Sequence, residues 1–146
     1  MSTGLFLDAN IFMYAAGAQH PLKVPCVQIL ADIGTLQAQF STGVEVVQEI
    51  LHRYISIGRQ NDAIIVANHV LQLVPVIHSL ESSDMQRAIQ ICAVYPKLTA
   101  RDAIHTATML NRGILHIVSA DTHFDSVAGI QRIEPLTWNT TRLQYL

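Results

Sequence analysis

The sequence predicts an α/β domain built on a parallel sheet, and three observations carry that expectation. Short apolar runs bounded by polar turns recur along the chain, most plainly Gly4-Leu5-Phe6-Leu7 and Ile114-Leu115-His116-Ile117-Val118. Such runs read as strands buried on both faces of a parallel sheet. Stretches with helical spacing of apolar residues separate them, so strand and helix signals alternate. Both plain strands also run into acids: Asp8 directly after the first, and Asp121 after the second, with Asp125 four residues on. In open α/β sheets the functional crevice lies beyond the carboxyl ends of the strands. Two strands therefore deliver carboxylates to one sheet edge, and carboxylates clustered there imply a bound divalent cation.

The elements follow in order. After the first strand, Ile11 to Ala16 reads as a short helix and Pro21 to Thr35 as a second, with Pro21 and Pro25 suiting its first turn and Gly34 its end. Ala38 to Phe40 is a brief strand. Ser41 or Thr42 then caps a helix that runs to about Ile57 and stops at Gly58. Val44, Val47, Ile50, Leu51 and Tyr54 fall on one face of it. Asn61 to Leu73 is a further helix, and Val74 to Ile77 a strand weakened by Pro75. Ser82 or Ser83 opens a helix to about Val94, and Thr99 caps the next, Ala100 to Asn111, which Gly113 closes. The strand 114–118, the turn Asp121 to Asp125 and an edge strand at Gln131 to Ile133 complete the chain.

Length and composition suit one domain, residues 1–146: half of the residues are hydrophobic and 14% are charged, a core-rich balance unlike that of a disordered chain. No apolar run approaches the roughly 18 residues that span a bilayer. No basic segment precedes the first apolar stretch, so no secretion signal is expected and the cytoplasm is the expected compartment. Cys26 and Cys92 share no motif spacing and are expected to be free buried thiols. The net charge of −2 argues against a generally basic nucleic-acid binder. If five acids are committed to one metal site, however, nine Lys and Arg face only six remaining acids, which leaves a mildly basic surface.

Those five acids are Asp8, Glu49, Asp102, Asp121 and Asp125. Taken singly, Asp8 suits a helix cap, Asp102 a favourable position in the first turn of its helix, and Glu45 and Glu49 a solvated helix face. Jointly, acids at strand ends and helix starts point to the same sheet edge. Carboxylates so close repel one another, and hard oxygen ligands suit Mg²⁺ or Mn²⁺. The other polar candidates have simpler readings: His105 as a packed or surface histidine, His52 and Arg53 as a solvated face, His123 as a loop residue. The seven histidines show no HxxxH spacing, and the chain has no Gly-rich phosphate loop and no GxSxG elbow. A response-regulator-like module would need a late lysine after a strand, and Lys23 and Lys97 do not supply one.

Four segments in order carry a resemblance: Leu7-Asp8-Ala9-Asn10-Ile11; Gln48-Glu49-Ile50-Leu51-His52-Arg53-Tyr54; Leu98-Thr99-Ala100-Arg101-Asp102-Ala103-Ile104-His105; and Val118-Ser119-Ala120-Asp121 with Phe124-Asp125. The chain resembles, over essentially its whole length, the PIN-domain nucleases, and within them the VapC-type toxins of toxin–antitoxin pairs. The resemblance implies a PIN-like single domain with a central parallel sheet of about five strands flanked by helices, and an endoribonuclease using Mg²⁺ or Mn²⁺. Residue by residue it implies Asp8, Glu49, Asp102 and Asp121 as the catalytic, metal-binding acids and Asp125 as a further metal ligand. Asn10 and Ser119 match supporting residues. Glu45, one helical turn from Glu49, is the alternative for the second acid; the residues after Glu49 favour Glu49. The resemblance also implies an RNA substrate and a homodimer, the latter supported by apolar residues in excess on helices 43–57 and 61–73. The chain shows no pro-segment, so its inhibitor is expected to be a separate antitoxin. A housekeeping PIN nuclease and an inactive PIN-fold binding module are the alternative readings, the intact acids arguing against the second.

Overall fold

A computed structural model describes residues 3–146; Met1 and Ser2 of the expected domain span lie outside the described residues. Five parallel strands form one sheet: β1 (Thr3–Leu7), β2 (Ala38–Gly43), β3 (Val76–His78), β4 (His116–Val118) and β5 (Gln131–Ile133). Their order is β3-β2-β1-β4-β5, so the chain winds outward from β1 to one side and then crosses to the other. The reversal falls between β1 and β4, where a crevice opens beyond the strand ends. Leu5, Phe6 and Leu7 are fully buried on β1, as are Ile117 and Val118 on β4, which is why these runs lack polar alternation.

The helices are α1 (Ala9–Ala16), α2 (Lys23–Asp32), α3 (Val44–Ser56), α4 (Gln60–Leu73), α5 (Ser82–Val94), α6 (Ala100–Asn111) and the single turn α7 (Trp138–Thr141). They pack as neighbours in sequence: α1 against α2, α3 against α4 and α5 against α6. Among the described residues no helix is long and apolar enough to cross a membrane.

Several boundaries differ from the sequence expectations, each for a readable reason. β2 continues through Gly43, because Phe6 pairs with Ser41, Thr42 with Ile77 and Gly43 with His78. Ser41 and Thr42 are therefore strand residues, not caps, and the cap of α3 is Gly43, whose side has no hydroxyl to offer. Thr42 instead donates its hydroxyl to the Leu7 carbonyl at 2.8 Å, fastening the end of β1. The buried face of α3 is Val46, Ile50 and Tyr54; Val44 is exposed. Helix α2 ends at Asp32 rather than Thr35, and Pro21 lies outside it. Glu81, not Ser82 or Ser83, caps α5 in a reciprocal box with Asp84. Cys26 is buried, and burial with the Glu134 charge pushes its thiol up to about 12. Cys92 is exposed, because the buried residues of α5 are Asp84, Ala88 and Ile91.

Candidate active site

Asp8 sits where β1 becomes α1 and serves both. Its Oδ1 accepts from the Ala9 amide at 2.8 Å, capping α1, and its Oδ2 accepts from the Ser119 hydroxyl at 2.6 Å and the Asn10 amide at 3.2 Å. Ser119, just past β4, is fully buried, and its oxygen also accepts from the Asp121 backbone at 3.0 Å and from Asn10 at 3.1 Å. The Asn10 carbonyl accepts from the Ala120 backbone at 3.1 Å. These bonds lock the ends of β1 and β4 together, 111 residues apart in the chain, and orient Asp8 and Asp121 from the same hydroxyl.

Among the described residues, two groups of side chains offer ligand atoms within 4.8 Å of one another: Asp8, Glu49 and His105, and Asp102, Asp121 and His123. Glu49 enters from α3, and its Oε1 lies 3.2 Å from Nε2 of His105, which is also 3.9 Å from Oδ1 of Asp8. Glu45 faces Arg101 instead, at 3.4 Å. Asp102 stands in the first turn of α6, whose cap Thr99 accepts from the Asp102 amide at 3.2 Å. Asp121 accepts from the His123 backbone at 2.9 Å.

Burial raises the Asp8 pKa, against the lowering effects of His105 and the Ser119 bond. Asp102 is pushed up to about 6 by burial, with the charges of Asp8 and Asp121 adding to it. The two ligand groups therefore feel one another. Burial works against charge on His105, but the Glu49 hydrogen bond and the carboxylates around it win, and its pKa rises. Burial likewise opposes charge on Glu49, and His105, Arg53 and Arg101 outweigh it, so the Glu49 pKa falls. The donor set is mostly carboxylate oxygen, carries mutual repulsion and opens to solvent clefts, which fits a hard divalent cation such as Mg²⁺ or Mn²⁺.

Asp8, Glu49, Asp102 and Asp121 thus converge, with Asn10 and Ser119 bracing them. Asp125 does not join them. Its two oxygens are held by Arg132 at 2.9 and 3.2 Å, and it belongs to neither ligand group. The fork geometry of Arg132, which also reaches Glu134 at 2.6 Å, draws the carboxylate outward. His105 was the residue that spacing alone undervalued. It lies three positions after Asp102, on the same helix face, and that register is the signal that points it inward.

A model of the PIN domain matches residues 5–130 of the chain. A VapC ribonuclease of Mycobacterium bovis is 34% identical over 129 residues, covering 88% of this chain and 98% of that protein. Among solved structures, Mycobacterium tuberculosis VapC20, a sarcin-ricin loop cleaving toxin, superposes with a TM-score of 0.69 at 14% identity, covering 86% of this chain and 98% of that one. A toxin–antitoxin complex from Klebsiella pneumoniae gives 0.64 at 17% identity, covering 90% and 97%. With one acid from each of the four motifs gathered at the β1–β4 crevice and the family model spanning the strands that carry them, the chain belongs to the PIN-domain family, among the VapC ribonucleases.

Proposed function

We propose that this chain is a metal-dependent endoribonuclease, the toxin of a toxin–antitoxin pair, with Asp8, Glu49, Asp102 and Asp121 as its metal-binding, catalytic acids. One observation carries the reading: Asp8 and Asp102 are buried beside Glu49 and Asp121, and burial together with the charges of Asp8 and Asp121 raises Asp102 to about 6. Such an arrangement is unfavourable unless a cation resides there. A bound Mg²⁺ or Mn²⁺ would neutralise charge on the phosphodiester and make a coordinated water acidic.

The chain's own residues do the rest. Ser119 and Asn10 fix the Asp8 carboxylate, and His105 and Arg53 hold the two oxygens of Glu49 at 3.2 and 3.4 Å. The acids are thus oriented before substrate arrives, which avoids reorganisation during reaction. Asp125 bound to Arg132 acts as a brace on the turn rather than as a ligand.

The partner is an antitoxin made as a separate protein in the same cytoplasm. A carboxylate cluster that accepts a cation also accepts an arginine fork in a water-excluded site, which is the form of inhibition proposed for it. The active protein is a homodimer. Ile55 near the end of α3 and Ile64, Ile65 and Leu71 on α4 are exposed, a set that association would cover. The test is expression alone and with the neighbouring small reading frame. Alone, the chain should arrest growth; together, growth recovers and the two proteins co-purify. A chain that is harmless alone and retains no neighbour is a housekeeping nuclease instead.

A further inference from the structure

The acidic cluster opens on two sides. One side is a cavity of about 560 Å³ bordered by Glu45, Glu49, Arg101 and Asp102. The other is a cleft of about 490 Å³ between α1 and the end of α3, lined by Asn10, Tyr14, Arg53, Tyr54, Arg59 and Asp121. Arg53 and Asp121 border both, so the two meet at the acids. We propose that the second cleft is a nucleotide subsite: it seats the residue of a single RNA strand beside the scissile phosphate, its base against Tyr14 and its own phosphate on Arg59. The inference rests on the ribonuclease reading and adds to it the residues that position and select the substrate.

The cleft is built before any ligand enters. Arg59 lies with its guanidinium carbon 5.2 Å from the centre of the Tyr54 ring, and its Nε donates to Asp62 at 2.8 Å. It is therefore pinned from two sides while its side chain stays half exposed, and its Nη groups are not engaged by the Asp62 bond, which leaves donors for a phosphate. Tyr54, almost fully buried, forms the floor. Tyr14 is half-buried at the wall, its ring 4.7 Å from that of His20 and tilted by 32°, which fixes its orientation. Asn10 lines the cleft but spends its amide on Asp8, Ser119 and Ala120, so it braces and does not read a base.

The chemistry favours RNA over an acidic peptide. The cleft volume falls in the range of small-molecule sites and admits a nucleoside. A flat aromatic wall admits any base but holds the better-stacking ones more strongly, which gives a modest preference at that position, and the cation lining the same cleft suits the adjoining phosphate. Single-stranded RNA is read through unstacked bases placed on aromatic rings. The other cavity, with Arg101, then takes the strand on the far side of the cleaved bond.

The test uses the full chain with Mg²⁺ or Mn²⁺ and a single-stranded RNA pool randomised at its centre, with cleavage ends sequenced. Binding of the same labelled pool is measured by anisotropy on the Asp102→Asn protein, with and without the second change. Tyr14→Ala should raise KM about tenfold with kcat little changed, weaken binding to match, and flatten the preference at one position beside the cleaved bond. Tyr14→Phe, which keeps the ring, should recover most of the loss. Arg59→Gln should weaken binding of all sequences and reduce its dependence on salt. If wild type cleaves and Tyr14→Ala keeps its KM and preference, the subsite is wrong and the nuclease reading stands. If that variant cleaves normally but escapes the co-expressed partner, the cleft is a protein-binding surface and the proposal is overturned. If wild type itself is inert on RNA, the nuclease reading fails and takes the subsite with it.

Discussion

Asp8 performs two tasks with one carboxylate: one oxygen caps α1 and the other is held by Ser119 and Asn10 toward the crevice. The ordinary reading of a strand-end aspartate as a cap describes one oxygen here, and the other is placed where the functional reading needs it. That is why Asp8, Asp102 and Asp121 were legible from position alone, since the places that orient a carboxylate at a sheet edge are caps and first turns. His105 was less legible, because burial of a histidine depends on Glu49 and Asp8 arriving from other elements. The pairing of Asp125 with Arg132 was invisible for the same reason. At this scale Asp102→Asn should abolish cleavage and also stabilise the metal-free protein by about 1–2 kcal/mol, because it removes a buried charge and its repulsion from Asp8 and Asp121. Thermal unfolding in chelator, beside an RNA cleavage assay, checks both parts. Away from the site, Asp84 is almost fully buried and bonded to Arg112 at 2.9 and 3.0 Å. Hydrogen bonding from Arg112 holds its pKa well below the usual carboxylate range. A carboxyl depressed in the folded state stabilises the fold above the unfolded value, near 4, and loses that contribution as pH falls toward the folded value. Asp84→Asn should therefore destabilise by about 2 kcal/mol at neutral pH and flatten the acid limb of a melting-temperature profile.

The elements that position the site follow from periodicity, turn residues and caps, and most were readable. α3 shows the limit. Its apolar residues gave the helix but not the rotation, because Val44 and Val46 both suit a helix interior and only packing against other helices, α4 foremost, selects Val46, Ile50 and Tyr54. The C-terminal segment was not anticipated at all. α7 is four residues long, too short for a periodic signal, and its stability comes from distant partners. Trp138 is fully buried, stacks against Tyr145 at 6.4 Å and donates its indole N–H to Asp32 at 2.8 Å. Arg142 adds two bonds of 2.8 Å to the same carboxylate. One buried aspartate at the end of α2 thus gathers the chain's last turns. Trp138→Ala should cost about 3–5 kcal/mol, through the cavity and the lost partner of Asp32. Urea unfolding measures it, and a loss under about 1 kcal/mol would mean that the C-terminal turns do not hold this position in solution.

For the whole molecule, sheet order is what converts scattered acids into a site. β1 and β4 are neighbours at the reversal of winding, so motifs more than a hundred residues apart close on one hydroxyl, Ser119. The four motifs in order made this arrangement readable in the sequence, whereas the two clefts around it depend on loop and helix-end geometry that no spacing rule supplies. The exposed isoleucines and leucine of α3 and α4 lead to an expected solution mass of twice the 16.1 kDa chain, and light scattering at micromolar concentration that returns a single chain would remove the dimer. The most direct test of the central claim is cleavage of RNA by purified wild type and Asp8→Asn, each with Mn²⁺ or Mg²⁺ and with chelator. Wild type should cleave only with metal and Asp8→Asn not at all, both proteins remaining folded by circular dichroism. Equal cleavage by the two proteins, or cleavage undiminished by chelator, would contradict the account.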